Sequence, residues 1–198
     1  MKLVIAADHA GFPLKQEIGQ ALRDLGHDVV EHELTYSPAL VAGVLARYLR
    51  GVSDAGRAMQ HPERLARRTR GYLRIGAAIP SRVVERARAA SAADEQALWP
   101  DGFDLVLTPM FTRRPAKVGK YEGLPAAVTL SASIRFVPYC GAYNHTGQPA
   151  ASVPAGFTPD GFPLAAQLVA PREGEPVLLG VAAQLEEALG WPDRRPPL

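Results

Sequence analysis

The hydrophobic positions at the start of the chain predict a strand, a helix and a second strand. Residues 3–7 are all apolar, as in a parallel strand that is buried on both faces. Apolar residues then recur at helical spacing from Pro13, a suitable first helical residue, to Leu25, and Gly26 follows as a C-cap. Residues 28–31 form the next strand candidate. We expect a parallel, right-handed strand–helix–strand unit.

The next segment has a helical pattern. Ser37 and the proline after it are typical N-cap and first-turn residues, and apolar positions at helical spacing follow them. Residues 62–74 and 80–98 predict two further helices that are rich in arginine. Residues 111–125 lack a periodic pattern and are expected to form a loop, whereas residues 126–137 fit either a helix or a strand.

Strand signals dominate the C-terminal part. Residues 103–109 predict a strand that ends at a proline, and strand and turn signals continue over residues 138–170. An Asp-Gly pair at residues 160–161 lies between two apolar runs and predicts a hairpin. A last apolar helix starts at Pro176 and is closed by Gly190. The predicted fold class is α/β, with a mixed sheet and flanking helices.

Composition and charge exclude several classes of protein. The 198 residues, 47% of them hydrophobic, allow one domain with a real core, or a large and a small unit that share one. The net charge of +2 and the lack of a known nucleic-acid-binding motif in the arginine-rich segments predict no nucleic-acid partner. No apolar run approaches the ~20 residues that span a bilayer, and Asp8 comes too early for a signal peptide. We therefore predict no membrane association.

The single cysteine bounds the redox setting and the metal chemistry. Cys140 alone excludes an internal disulfide and a cysteine-rich zinc site, and it fits a reducing, cytoplasmic location. His27 and His32 flank a predicted strand but lack a carboxylate pattern around them. We predict neither a metal nor a cofactor.

The most informative motif lies at residues 144–157 and reads Asn-His-Thr-Gly-Gln-Pro-Ala-Ala-Ser-Val-Pro-Ala-Gly-Phe. Gly-Phe-Pro from Gly161 and Gln-Leu-Val from Gln167 follow in order. This set resembles the C-terminal block of the amidase-signature family. The resemblance covers about residues 37–198 and is strongest over residues 101–190. It implies that the sheet is an incomplete amidase-signature core.

The start of the chain resembles a different family. Ile-Ala-Ala-Asp-His-Ala-Gly-Phe at residues 5–12 resembles the start of B-type ribose-5-phosphate isomerases. That resemblance implies that Asp8 and His9 follow the first strand and line a sugar-phosphate site. We therefore expect an isomerase-like unit over residues 1–35 and an amidase-like region over residues 36–198, with one shared core.

Neither resemblance brings its full chemistry. Amidase-signature hydrolysis implies a nucleophilic serine, a second serine and a lysine that relays the proton. The chain has no Ser-Ser pair, none of its serines lies in a Gly-rich loop, and its four lysines stand in other contexts. The isomerase family implies a cysteine base before a Gly-Thr-Gly loop, but Ala142 follows Cys140-Gly141 here. We assign no catalytic residue.

The remaining candidates each have two interpretations. Asn144 and Thr146 would line a substrate pocket, or would bridge strand ends by hydrogen bonds. Cys140 would be a nucleophile beside His145, or a structural thiol. The Asp-His pair would bind a phosphate at a helix N-terminus, or would form a capped turn with a solvated histidine.

Three functional hypotheses follow. The first is an amidase-family protein without its own hydrolytic centre, which binds a small amide ligand. The second is a sugar-phosphate binder or isomerase, and the third is a fusion product without a biochemical role. The incomplete amidase core further predicts self-association, or a partner that covers the missing layer.

Overall fold

The computed structural model describes residues 1–6, 12–99 and 101–191. The chain forms two compact units. The first comprises Met1–Thr35, Ala97–Thr112 and Gly147–Leu198, and the second comprises Tyr36–Gln96 and Arg113–Thr146. The described strands all lie in the first unit, and the second is built from helices and loops. The predicted α/β class with a mixed sheet and flanking helices is confirmed.

The first unit contains a five-stranded sheet. Its strands are β1 (Lys2–Ile5), β2 (Asp28–Glu31), β3 (Leu105–Pro109), β4 (Ala150–Phe157) and β5 (Pro163–Val169). Their order in the sheet is β2-β1-β3-β5-β4. β1 pairs in parallel with β2 and β3, whereas β5 pairs antiparallel with β3 and β4. The sheet is therefore parallel on one side and antiparallel on the other.

Helices α1 (Phe12–Asp24) and α7 (Glu175–Ala188) cover this sheet. The core is formed by apolar side chains of these two helices and of the strands. Ile18 and Leu22 of α1 and Leu185 of α7 are fully buried in that core. The predicted strand–helix–strand unit is confirmed, although β1 begins one residue earlier than the predicted run and ends at its third residue. Gly26 closes α1 with a φ of 83°, in the left-handed region that favours glycine.

The C-terminal hairpin and the last helix also follow the sequence pattern. Gly161 adopts a φ of 82°, and its N–H donates to the carbonyl oxygen of Thr158 at 2.8 Å. β4 and β5 pair on either side with Ser152 opposite Gln167, and the register shifts between Pro154 and Phe157. The hairpin prediction is confirmed. The last helix begins one residue before the predicted Pro176.

The second unit contains α2 (Pro38–Arg57), α3 (Arg67–Ala77), α5 (Ala126–Phe136), α6 (Cys140–Thr146) and most of α4 (Ser81–Leu98). The start of α2 is as predicted, because the Oγ atom of Ser37 accepts a hydrogen bond from the Leu40 N–H at 3.1 Å. The prediction for residues 80–98 is confirmed as well. The ambiguous residues 126–137 form a helix.

Two predictions for this unit are wrong. Residues 62–74 are not one helix: a 3-10 turn at Pro62–Arg64 is separated from α3 by Leu65 and Ala66, whose extended backbones interrupt the helical hydrogen bonds. The strand signals over residues 138–170 include α6, a helix that the pattern missed. Its residues Tyr143 and His145 are buried, so packing stabilises a helix of only seven residues that local propensity does not indicate.

Glycine allows α2 and α3 to pack backbone to backbone. A Cβ atom on Gly76 of α3 would lie 2.0 Å from the carbonyl oxygen of Leu49 in α2. A Cβ atom on Gly56 of α2 would lie within 2.5–2.9 Å of the Leu73 side chain. These contacts fix α3 against the helix that forms one wall of the cavity described below. Among the helices of the described ranges, none combines the length and the apolar character that a membrane span requires.

Candidate functional site

A cavity of about 620 Å³ lies within the second unit, and its walls are mainly apolar. Such a volume and such walls are typical of small-molecule sites. Helices α2, α5 and α6 supply most of the walls, and α3 and α4 contribute one side chain each. The apolar walls are formed by Leu40, Val41, Val44, Leu45, Leu130, Ile134 and Val137.

A few polar side chains punctuate these walls. Arg47 comes from α2 and Arg88 from α4, while Asn144 and His145 come from α6. Three tyrosines also line the cavity: Tyr36, Tyr48 and Tyr72. Within the described part of the chain, no Asp or Glu lines it. The cavity therefore carries positive charge on an apolar surface.

His145 is held from two sides. Its side chain is 1% exposed, and its Nε2 atom lies 3.1 Å from Oδ2 of Asp94 in α4. An Nη1 atom of Arg47 lies 3.2 Å from Nδ1 of the same ring and also donates to the His145 carbonyl oxygen. Because a guanidinium is only a donor, Nδ1 accepts and the ring proton sits on Nε2, which donates to Asp94.

This arrangement uses both ring nitrogens of His145 within the protein. A general base needs a free nitrogen within reach of the proton it removes. His145 has none, so the geometry makes it a positioning residue that fixes α6 to α2 and α4. Gly43 of α2 adds to the fit, because a Cβ atom there would lie 3.3 Å from Cε1 of the ring.

Cys140 also lines the cavity, and it is half-buried. Burial raises the pKa of its thiol above the ordinary value. The thiolate is the nucleophilic form, so this shift lowers its population near neutral pH. With both nitrogens of His145 in use, that residue does not activate the thiol. The geometry favours the interpretation of Cys140 as a structural thiol.

Two neighbouring phenols belong to this unit: Tyr36 lines the cavity just before α2, and Tyr143 of α6 is not part of the lining. Tyr143 is 2% exposed and Tyr36 is half-buried. Both hydroxyls are buried, and they interact with each other. Burial raises the pKa of Tyr143 to about 12, and burial together with the nearby Tyr143 raises the pKa of Tyr36 further. Both phenols are neutral under ordinary conditions.

The site residues predicted from the sequence differ in burial and in whether they line the cavity. Asn144 is exposed and lines the cavity. Thr146 is buried, does not line the cavity, and donates from its Oγ1 to the Tyr143 carbonyl oxygen at 3.4 Å. Asp8 and His9 lie outside the described residues. Of the two predicted residues that the structure describes, Asn144 lines the cavity and Thr146 does not.

Nothing in the sequence pattern distinguishes Arg47, Arg88 or Asp94 as site residues. Arg47 and Asp94 are 98 and 51 positions from His145 along the chain, and only the fold brings them together. Arg88 lies in the arginine-rich helix predicted over residues 80–98, where the sequence does not distinguish it from the other arginines. Its position on α4, facing an apolar cavity, is the feature that would have set it apart.

A second cavity of about 630 Å³ lies in the same unit, beside the loop that precedes α5. Its basic lining residues are Arg113, Arg114, Lys117 and Lys120. All four are exposed, and the adjoining Val118 is completely so. The first cavity is built by packed helices instead, so we take it as the candidate site. In the described ranges, no group of three or more His, Cys, Asp or Glu side chains is placed to hold a metal.

Serine and lysine are the residue types that amide hydrolysis of the resembled kind would require. Ser133 is the single serine among the described residues that line the candidate cavity. Its hydroxyl donates to the Thr129 carbonyl oxygen at 3.0 Å. No lysine lies among the described residues of that lining. The cavity therefore offers a binding surface without a serine–lysine pair.

Comparison with known proteins gives a consistent result. The family model described as Amidase matches residues 14–179. The chain is 41% identical over 183 residues to AmiB2 of Mycobacterium tuberculosis, which is designated an amidase; this covers 91% of the chain and 39% of AmiB2. It is 40% identical over 108 residues to the 6-aminohexanoate-cyclic-dimer hydrolase of Paenarthrobacter ureafaciens, covering 50% of the chain and 22% of that enzyme.

Solved structures extend the comparison to the fold. A 6-aminohexanoate cyclic dimer hydrolase in complex with substrate matches with a TM-score of 0.73 and 28% identity, over 98% of this chain and 46% of that one. A bacterial aryl acylamidase of the amidase-signature family matches with a TM-score of 0.69 and 18% identity, over 99% of this chain and 46% of that one. This chain thus spans about two fifths of the length of the curated AmiB2 relatives.

The family match begins well before the motifs that first indicated it. Sequence motifs place the start of the resemblance near residue 37, whereas the matched region starts at residue 14 and includes most of α1 and all of β2. Residues 14–33, which the isomerase-like resemblance also claimed, therefore lie within the amidase match. Sequence, fold and family model agree over most of the chain, which belongs to the amidase-signature family.

Proposed function

We propose that this chain is an amide-hydrolase lineage protein that binds a small amide-derived ligand in the helical cavity and does not hydrolyse it alone. The observation that carries the proposal is a formed, mainly apolar cavity without a serine–lysine pair in its described lining. The nearest histidine is fully engaged by Arg47 and Asp94. These observations support a cavity that binds a ligand without a serine–lysine pair in its described lining.

A serine-reactive fluorophosphonate probe, followed by intact mass measurement, tests the proposal. The expected result is no added mass on this chain, while a full-length 6-aminohexanoate-cyclic-dimer hydrolase serves as the labelled control. Covalent labelling of any one of the seven serines would overturn the non-hydrolytic part of the proposal. If a second polypeptide supplies the missing serines and lysine, hydrolysis appears only in the mixture, and the label sits on that polypeptide.

The proposal includes a covering partner or self-association. Two observations support it: β2 and β4 are the edge strands of the sheet, and Val177 and Leu179 of α7 are 42% and 63% exposed. Light scattering measures the outcome directly. A clean monomer that binds no apolar dye would contradict this part, without bearing on the ligand site.

Sugar-phosphate binding by the isomerase-like start is a separate and weaker proposal. Its support is the sequence alone, because Asp8 and His9 lie outside the described residues. Ribose 5-phosphate should raise the melting temperature of the chain, and His9→Ala should abolish that rise. If no ligand of either kind binds and no serine is labelled, the hypothesis of a fusion product without a role is favoured.

A further inference from the structure

We infer that the helical cavity is selective for molecules that join an apolar chain or ring to a carboxylate, and that Arg88 contacts the carboxylate. This inference rests on the proposed function, in which the same cavity is the ligand site. It adds the chemical class of the ligand and names the residue that determines it.

The charged side chains of the cavity lining are positive. Its described lining holds two guanidinium groups, those of Arg47 and Arg88, and no carboxylate. Arg47 is committed to the ring and the carbonyl oxygen of His145. Arg88 forms no hydrogen bond or ion pair within the described part of the chain, and it is exposed. One cation of the cavity is therefore free to meet an anion.

The planar guanidinium group of arginine is well suited to bind a carboxylate. A guanidinium presents parallel N–H donors that match the two oxygens of a carboxylate, and such charge-assisted pairs are stronger than neutral hydrogen bonds. The apolar residues of α2 and α5 would cover the rest of the ligand. The exposed Asn144 lines the same cavity and offers an amide to a second polar group of the ligand.

The chemistry of the lineage is consistent with this class. Hydrolysis of an amide releases a carboxylate and an amine, so acids are natural ligands of a site derived from an amide hydrolase. An amide substrate that already ends in a carboxylate would meet the same requirements. In the product acid, the apolar segment is attached to the carboxylate. In the amide substrate, it lies between the amide and the carboxylate. Either segment would contact the apolar walls of the cavity.

A charge series of one skeleton tests the inference. The dissociation constants of 4-phenylbutyrate, 4-phenylbutyramide and 4-phenylbutylamine are measured by titration calorimetry on the full chain at low salt. We expect the carboxylate to bind about fivefold more tightly than the neutral amide, since an exposed ion pair contributes modestly, and to lose this preference as salt is raised. The amine should bind most weakly.

Variants then assign the preference to Arg88. Arg88→Gln should bring the ratio between carboxylate and amide to about one, while the affinity for the amide stays unchanged. Arg82→Gln is the matched control, because Arg82 is exposed on the same helix but does not line the cavity. Val41→Glu places an acid on the cavity wall at a residue that is 40% exposed, and it should reduce the preference for the carboxylate because it offsets one of the two positive charges.

Three results would overturn the inference: equal affinity for the three probes, no binding of any probe, or the same loss in Arg82→Gln as in Arg88→Gln. Equal affinity for the three probes, or an equal loss in the two variants, would overturn the ligand class and leave the proposed ligand site standing, whereas no binding of any probe would count against both. The fluorophosphonate result is independent of all three outcomes. Labelling of a serine with intact charge selectivity would instead remove only the claim that the chain is not hydrolytic.

Discussion

Gly76 of α3 lies against the carbonyl oxygen of Leu49 in α2, so closely that a Cβ atom at Gly76 would be 2.0 Å from it. No real Cβ contact is that short, and the obstacle is backbone, which yields less readily than a side chain. The two helices therefore reach this separation only with glycine at position 76.

Gly76→Ala is expected to destabilise the protein by about 3 kcal/mol, at the upper end of the usual cost of overpacking, because the helices must move apart. Urea unfolding followed by circular dichroism measures the change. Gly51→Ala is the matched control: Gly51 is in α2 and nothing lies within 4 Å of an added Cβ, so alanine should stabilise by about 0.5–1 kcal/mol. Equal effects of the two changes would contradict the close contact.

Asp94 holds the proton-bearing nitrogen of His145. Asp94→Ala leaves this N–H unpaired at a side chain that is 1% exposed, which should cost about 1–3 kcal/mol in the free energy of unfolding. Denaturant titration gives the value. The expected loss does not depend on a charged histidine, since the neutral ring already donates through Nε2.

Asp54→Ala is the control for that experiment. Like Asp94, Asp54 pairs with a basic side chain: its Oδ1 atom lies 2.9 Å from Nε of Arg50, in the same helix. The side chain of Asp54, however, is 54% exposed. An exposed pair four residues apart on a helix contributes about 0.3–0.5 kcal/mol. Were Asp94→Ala to cost no more than Asp54→Ala, the bond to His145 would not be formed in solution.

Much of the fold follows from local sequence, while the site does not. Ser37 caps α2 through its own neighbour Leu40, and Gly161 turns the hairpin through Thr158, so each is readable within a few residues. α6 is different. Its seven residues include Gly141, and His145 is tied to partners 51 and 98 positions away. No periodic pattern carries such contacts.

The cavity could not be predicted from the sequence either, because it is formed by residues that are distant from one another along the chain. Its walls come from helices whose apolar positions read as ordinary amphipathic faces, and nothing in Val41 or Leu130 tells a cavity wall from a packed core. Asn144 was found because it belongs to the family motif. Thr146, from the same motif, turned out to be buried and bonded to the Tyr143 carbonyl, which local sequence cannot distinguish from a ligand contact.

Cys140 should react slowly with iodoacetamide in the folded protein. Burial raises the pKa of its thiol, so the thiolate is scarce at pH 7.5. We expect alkylation to be several-fold slower than in the urea-unfolded chain, and its rate to keep rising above pH 9, where an ordinary thiol with a pKa of ~8.5 levels off. A plateau below pH 8 would indicate an activated thiol and would revive the nucleophile interpretation.

Stability should fall at alkaline pH because of Tyr143. Its pKa is raised to about 12 in the folded protein, whereas an unfolded tyrosine titrates near ~10. The folded state therefore keeps its proton while the unfolded state loses one. Its stabilising contribution is fully present below pH ~10 and is lost as the pH rises toward 12, by about 1 kcal/mol between pH 10 and 11.

Tyr143→Phe tests this assignment. Among the described residues its hydroxyl interacts with that of Tyr36, so its removal should change stability by no more than about 1 kcal/mol at pH 7. Urea unfolding at pH 7, 10 and 11 should then show a smaller alkaline loss in the variant than in the natural chain. The remaining loss is expected from Tyr36, whose pKa is still raised by burial after the contribution of the Tyr143 hydroxyl has been removed. Tyr48→Phe, at a tyrosine that is 51% exposed, should leave the alkaline slope as it is. An unchanged slope in Tyr143→Phe would mean that this phenol is reached by water in solution.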